Sequence, residues 1–162
     1  MSLSFDYFRR KLQQAEPIEN EAIRLICERN NVSLTKKQDV TNYKEMHYDF
    51  QTSDGLTYEV KADFLADRTG NVFVEFVQFG KPSGIQITEA MFHIYYFNDT
   101  YHLIDTEDLL LLCDASNNIK YVPMTHSKGY CIEISEFIKC CDILKVGDTS
   151  DEIDVHDIND LN

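Results

Sequence analysis

The sequence predicts an α/β domain, a mixed β-sheet flanked by helices, and three observations carry that expectation. Alternating apolar and polar runs crowd residues 47–79. Runs with helical spacing lie on either side, at 18–31 and 105–114. No internal repeat and no Pro-, Gly- or Ser-rich linker divides the 162 residues, a length that suits one domain. Hydrophobic residues make up 43% and aromatics 12%, enough apolar material for a core over most of the chain.

In IENEAIRLICERNN (18–31), Ile18, Ala22, Leu25 and Ile26 recur at helical spacing, and Pro17 marks the start. Residues 33–45 are polar and read as irregular. HYDFQT (47–52) and TYEVKADF (57–64) alternate on either side of SDGL, which predicts a β-hairpin. Tyr58, Val60, Ala62 and Phe64 share one face; Glu59, Lys61 and Asp63 share the other. Placing Tyr48 and Phe50 on the apolar face requires a loop of three or five residues, with Gly55 at the positive φ. NVFVEFVQF (71–79) is apolar on both faces, which predicts a central strand beside 57–64. SGIQITEAMFHI (83–94) reads as a helix, YYFNDTYHLI (95–104) as a hairpin around Asn98-Asp99, and DTEDLLLLCD (105–114) as a helix capped by Asp105 or Thr106. KYVPM (120–124) reads as an edge strand, and 129–144 as strand then helix.

Charge is unevenly spread. The chain carries 28 acidic and 15 basic residues, net −13. Residues 1–81 are nearly balanced at −2, and residues 82–162 carry −11. The segment 146–162 has six acids and no base, and reads as a disordered acidic tail on a domain spanning 1–145. Such a balance argues against a sequence-independent DNA coat. No run is long and apolar enough for a membrane span, and the first residues lack a secretory pattern. Five cysteines without disulfide-like spacing suit reduced thiols, so a cytoplasmic location is expected.

Glu75 is the informative charge. A carboxylate inside a two-sided apolar strand needs a cation, a metal or a proton beside it. The polar row Glu59-Lys61-Asp63 is the expected neighbour. Two carboxylates on adjacent strands repel unless a positive charge separates them, and Mg²⁺ prefers carboxylate oxygens.

YEVKAD, TGNVFVEF and GKPSGIQITEA together resemble the PD-(D/E)xK, or restriction-endonuclease-like, nuclease superfamily. They are most similar to its small members in tailed bacteriophages and other large DNA viruses. The resemblance implies a central mixed sheet flanked by helices and Mg²⁺- or Mn²⁺-dependent hydrolysis of phosphodiesters, DNA above all. It implies that Asp63 and Glu75 are metal ligands, that Lys61 is the catalytic lysine, and that Ser83, Gly84 and Thr88 open a helix near the site. Glu21 is a further candidate ligand on the first helix. One departure stands out: the motif's lysine belongs two residues after its acid, and Val77 occupies that place after Glu75. A second frame, Asp49 with Glu59-Val60-Lys61, spells D…E-x-K across the hairpin, although an E-x-K triplet alone is a weak signal. It ranks below Asp63 and Glu75, because Asp49 and Glu59 need no explanation if they are solvated. The alternatives to a nuclease are a catalytically inactive binding or assembly protein of the same fold and an acidic DNA mimic. Expected partners are nucleic acid and either a second copy or a basic protein bound through the acidic tail.

Overall fold

A computed structural model describes residues 3–145 apart from 40, 43 and 44, with side chains from residue 13 onward. The acidic tail at 146–162, and the disorder expected of it, lie outside the described residues. The chain is mixed α/β. Its elements are α1 (Leu3–Asn30), β1 (Leu34–Lys37), β2 (Phe50–Thr52), β3 (Thr57–Ala62), α2 (Ala66–Thr69), β4 (Asn71–Gln78) and β5 (Lys81–Pro82). A 3-10 turn (Gly84–Gln86) leads to β6 (Phe92–Phe97), β7 (Thr100–Asp105), α3 (Thr106–Ala115), β8 (Ile119–Val122), β9 (Ser127–Glu133), α4 (Ile134–Ile138) and β10 (Asp142–Lys145).

Two sheets form. The larger has six strands in the order β1-β2-β3-β6-β7-β10, with β3 and β6 parallel and every other pair antiparallel. The smaller is antiparallel, in the order β5-β4-β9-β8. One face of the large sheet buries Phe50, Tyr58, Ile94 and Tyr101 against Ile18, Ala22 and Ile26 of α1. The other face buries Tyr95, Phe97 and Ile104 against Val72 and Val74 of the small sheet, with Leu109 of α3 and Phe137 of α4. The large sheet is therefore the middle layer.

The β2–β3 hairpin is as the alternation requires. Phe50 pairs with Tyr58, the amide of Thr52 donates to the carbonyl of Leu56, and Gly55 has φ +83° inside a three-residue loop. Asp105 caps α3 by accepting from the Glu107 amide, and β8 is an edge strand.

Five expectations are corrected. Strand 71–79 does not pair with 57–64; it belongs to the second sheet, beside β9 and β5. Its two-sided apolarity has a different cause: Val72 and Val74 enter the inter-sheet core, while the Phe73 ring lies on Gly129, leaving no room for a Cβ there. Segment 83–94 is not a helix. FHIYYF is rich in β-formers and is paired on both sides, by β3 and by β7, so only Gly84–Gln86 turns helically. The first helix begins at Leu3 rather than at 18, with Pro17 inside it on an exposed face. Part of the polar stretch 33–45 is β1, an edge strand whose exposed side chains hide the alternation signal. Residues 142–145 add the strand β10 where helix was expected. Among the described residues, no helix is long and apolar enough to cross a membrane.

Candidate active-site cleft

Between the two sheets lies a cavity of about 580 Å³. Its floor is the polar side of β3 and β6. Glu59 pairs with His93 and Lys61 with Tyr95 in the parallel register, and all four side chains line the cavity. Phe73 and Glu75 of β4, with Lys120 and Tyr121 of β8, form the facing wall. Chain 46–48 closes one side, held where the Glu89 amide donates to the His47 carbonyl at 2.9 Å.

Asp49 ends the hairpin ladder. Its amide donates to the Tyr58 carbonyl at 2.8 Å, and its Oδ2 accepts from the Val60 amide at 2.7 Å. The carboxylate thus takes a strand's place beside β3 and is set next to Glu59. Burial, and then the charge of Glu59, push the Asp49 carboxyl up to about 7. Lys61 Nζ meets Glu59 Oε1 at 2.9 Å, with 42% of the lysine side chain accessible. Burial by itself would depress the Lys61 ammonium; the Glu59 carboxylate, and further off Asp49 and Glu75, outweigh it and keep it firmly charged. Glu19 of α1 lies within electrostatic range of Glu59. Burial first, and Glu59 among the nearby charges, raise its carboxyl, against the pull of Lys37 at 3.8 Å.

The other sequence-predicted residues take different places. Asp63 borders the cleft, but Oδ2 accepts from the Phe73 amide at 2.8 Å and Oδ1 from the Leu65 and Ala66 amides at 3.2 and 3.1 Å. It ties the end of β3 to α2 and to the start of β4. Glu75 faces the cleft from the small sheet, and its Oε1 accepts from Ser127 Oγ. Glu21 bonds Arg24 and, at 3.1 Å, Lys145 on β10, at the opposite edge of the large sheet from Asp49. Gly84 lines the cleft with φ +51°, Ser83 Oγ is buried without a partner among the described residues, and Thr88 Oγ1 accepts from the Ala90 amide. Sequence reasoning passed over Glu19 and His93. Glu19 sits beside the Ile18–Ala22–Ile26 stripe, on the margin opposite Glu21, so helical spacing was a usable signal for it. For His93 the usable signal was the run of β-formers around it, FHIYYF.

The donor set fits Mg²⁺ or Mn²⁺. Among the described residues, no three His, Cys, Asp or Glu side chains converge closely enough to cage a metal unaided. A hard cation that keeps most of its waters needs only one or two carboxylates, and Asp49 and Glu59 are two that repel until a cation or a proton separates them.

A pH dependence follows from Asp49. Its folded-state pKa is raised above the unfolded value, so its contribution is complete at low pH and is lost as pH rises through about 7. Asp49→Asn removes that term. Between pH 7 and pH 5 the variant should lose stability relative to the wild type, by on the order of 1 kcal/mol per pH unit. Denaturant midpoints at the two pH values measure this, and parallel trends in the two proteins would show that Asp49 is not perturbed.

No family model matches the chain, and no curated protein or solved structure is detectably similar to it.

Proposed function

We propose that the chain is a Mg²⁺- or Mn²⁺-dependent nuclease with a restriction-endonuclease-like fold, cutting phosphodiester bonds, in DNA above all, in a cytosol-like compartment. The observation that carries the proposal is the placement of Asp49, Glu59 and Lys61 on one hairpin, with Glu59 and Lys61 lining the cleft and Asp49 buried beside Glu59. In this frame the lysine stands two residues after its acid, as the D…E-x-K pattern requires, and Val77 has no catalytic place to fill. The mixed sheet with α1 on one face agrees with the resemblance; the second sheet, where a helix was expected, is a feature of this chain.

Asp49 and Glu59 would hold the cation, with Glu19 close enough to Glu59 to add negative potential. When bound, the cation polarises the scissile phosphate and lowers the pKa of its water. With Glu59 engaged by a cation, its pair with Lys61 would weaken and the ammonium would be free to act. Lys61 then orients the attacking water and offsets charge growing on the phosphate. Water oxygen bonds to phosphorus and releases a proton to solvent, one ester P–O bond breaks, and the departing oxygen takes up a proton from solvent.

The test is cleavage of supercoiled plasmid, linear duplex, and single-stranded DNA and RNA with Mg²⁺ or Mn²⁺. The wild type should cut at least one of these. Lys61→Ala should slow cutting at least about 100-fold, the scale of losing one transition-state charge donor. A wild type that binds the cation and cuts nothing would make the chain the inactive binding protein instead.

A further inference from the structure

The cleft holds a second group, an imidazole whose tautomer is set by its hydrogen bonds. Thr106 Oγ1 stands 2.8 Å from the Ala90 carbonyl, an acceptor only, so the single hydroxyl proton is donated there. The same oxygen stands 2.9 Å from His93 Nδ1 and therefore accepts from it. Nδ1 therefore carries a proton, and in the neutral ring Nε2 is a bare acceptor. Nε2 finds no partner among the described residues, yet it is not sealed in the interior as both nitrogens of His102 are. His93 lines the cleft, in register with Glu59.

On the proposed metal-site reading, we infer that His93 accepts a hydrogen bond at Nε2 from the water bound at the Asp49–Glu59 site, turning that water's lone pair toward phosphorus. Lys61 offers this water only donors, and Nε2 adds an acceptor on the β6 side of the site. A direct bond from His93 to the cation is disfavoured, because no three such side chains among the described residues converge on one point. Thr106, at the start of α3, holds the ring's orientation through Nδ1.

The first measurement is the imidazole ¹H–¹⁵N two-bond spectrum of the full chain, with His93 assigned by His93→Gln. Expected are a protonated Nδ1 and a bare Nε2 between pH 6 and 8. Mg²⁺ should move the Nε2 resonance in the wild type and leave it in place in Asp49→Asn. A protonated Nε2 overturns the inference. So does Mg²⁺ that raises the melting temperature without moving Nε2. The second measurement uses His93→Gln, which should keep the Mg²⁺-dependent melting shift while single-turnover cleavage falls at least 100-fold. Loss of the melting shift would mean that the imidazole holds the cation itself, and unchanged cleavage would mean that it holds nothing; either overturns the inference. If Mg²⁺ leaves wild-type melting unchanged, the metal-site reading fails first and takes this one with it, even with the tautomer as deduced.

Discussion

Asp49→Asn is expected to abolish the Mg²⁺-dependent rise in melting temperature, while Asp63→Asn lowers the melting temperature in every buffer and leaves the rise intact. The two carboxylates differ in what already occupies them. Asp63 is engaged by three backbone amides, from Leu65, Ala66 and Phe73. Its replacement leaves at least one of these donors without an acceptor, at a cost of about 1–3 kcal/mol. In a domain of this length that is several degrees of melting temperature. Asp49 gives Oδ2 to a single backbone amide, that of Val60, and sits beside Glu59. Removing its charge relieves a repulsion in the metal-free protein and takes away a ligand from the bound one. At about 100 times the dissociation constant, Mg²⁺ stabilises the wild type by about 2.7 kcal/mol, a shift well within calorimetric reach. The measurement is scanning calorimetry of the three proteins with and without Mg²⁺. A shift lost in Asp63→Asn and kept in Asp49→Asn would return the metal to the Asp63–Glu75 frame.

The ordering of those two frames in the sequence has a physical origin. Lys61 and its row were legible because β3 alternates strictly, and the hairpin register followed from parity and from the one glycine in the turn. Asp49 was legible as a motif letter, but its burial was not. Its surroundings come from chain distant in sequence: Glu19 of α1 lies within electrostatic range, and Glu89 holds the adjoining 46–48 segment. Glu75 drew attention because its strand is apolar on both sides. Two-sided apolarity reports that both faces are covered and does not report by what. Here the inter-sheet core covers one face, and Phe73 folded over Gly129 accounts for much of the other. The parallel β3–β6 pairing spans some thirty residues of intervening chain, which supply two strands, β4 and β5, to the other sheet. No local pattern encodes such a pairing, yet it is this pairing that brings His93 to Glu59.

Gly84→Ala should be among the most destabilising single-methyl additions to the chain. Gly84 has φ +51°, and a Cβ built there would lie 2.2 Å from the Glu75 carbonyl oxygen and 2.9 Å from its carbon. Both are backbone atoms in the middle of β4, paired on the far side with β9, so neither yields as a flexible side-chain tip would. Overpacking against fixed structure costs about 1–3 kcal/mol, and a left-handed conformation costs an L-residue a further 1–2 kcal/mol, roughly. A total near 3 kcal/mol corresponds to a fall of about 6–12 °C in melting temperature for a domain of this size. Gly55→Ala is the control: its φ is +83°, but no atom lies within 4 Å of the added Cβ, so it carries the conformational cost without the collision. The difference between the two variants isolates the contact between the 3-10 turn and β4. That contact also sets the cleft, since Gly84, Ile85 and Glu75 line it together. Relief of the clash by separating the turn from β4 displaces the Glu75 wall away from Lys61. Gly84→Ala should therefore also lose cleavage at temperatures where it remains folded, and Gly55→Ala should not. Melting temperatures within 2 °C of each other would mean that the turn and the strand are not in contact as described.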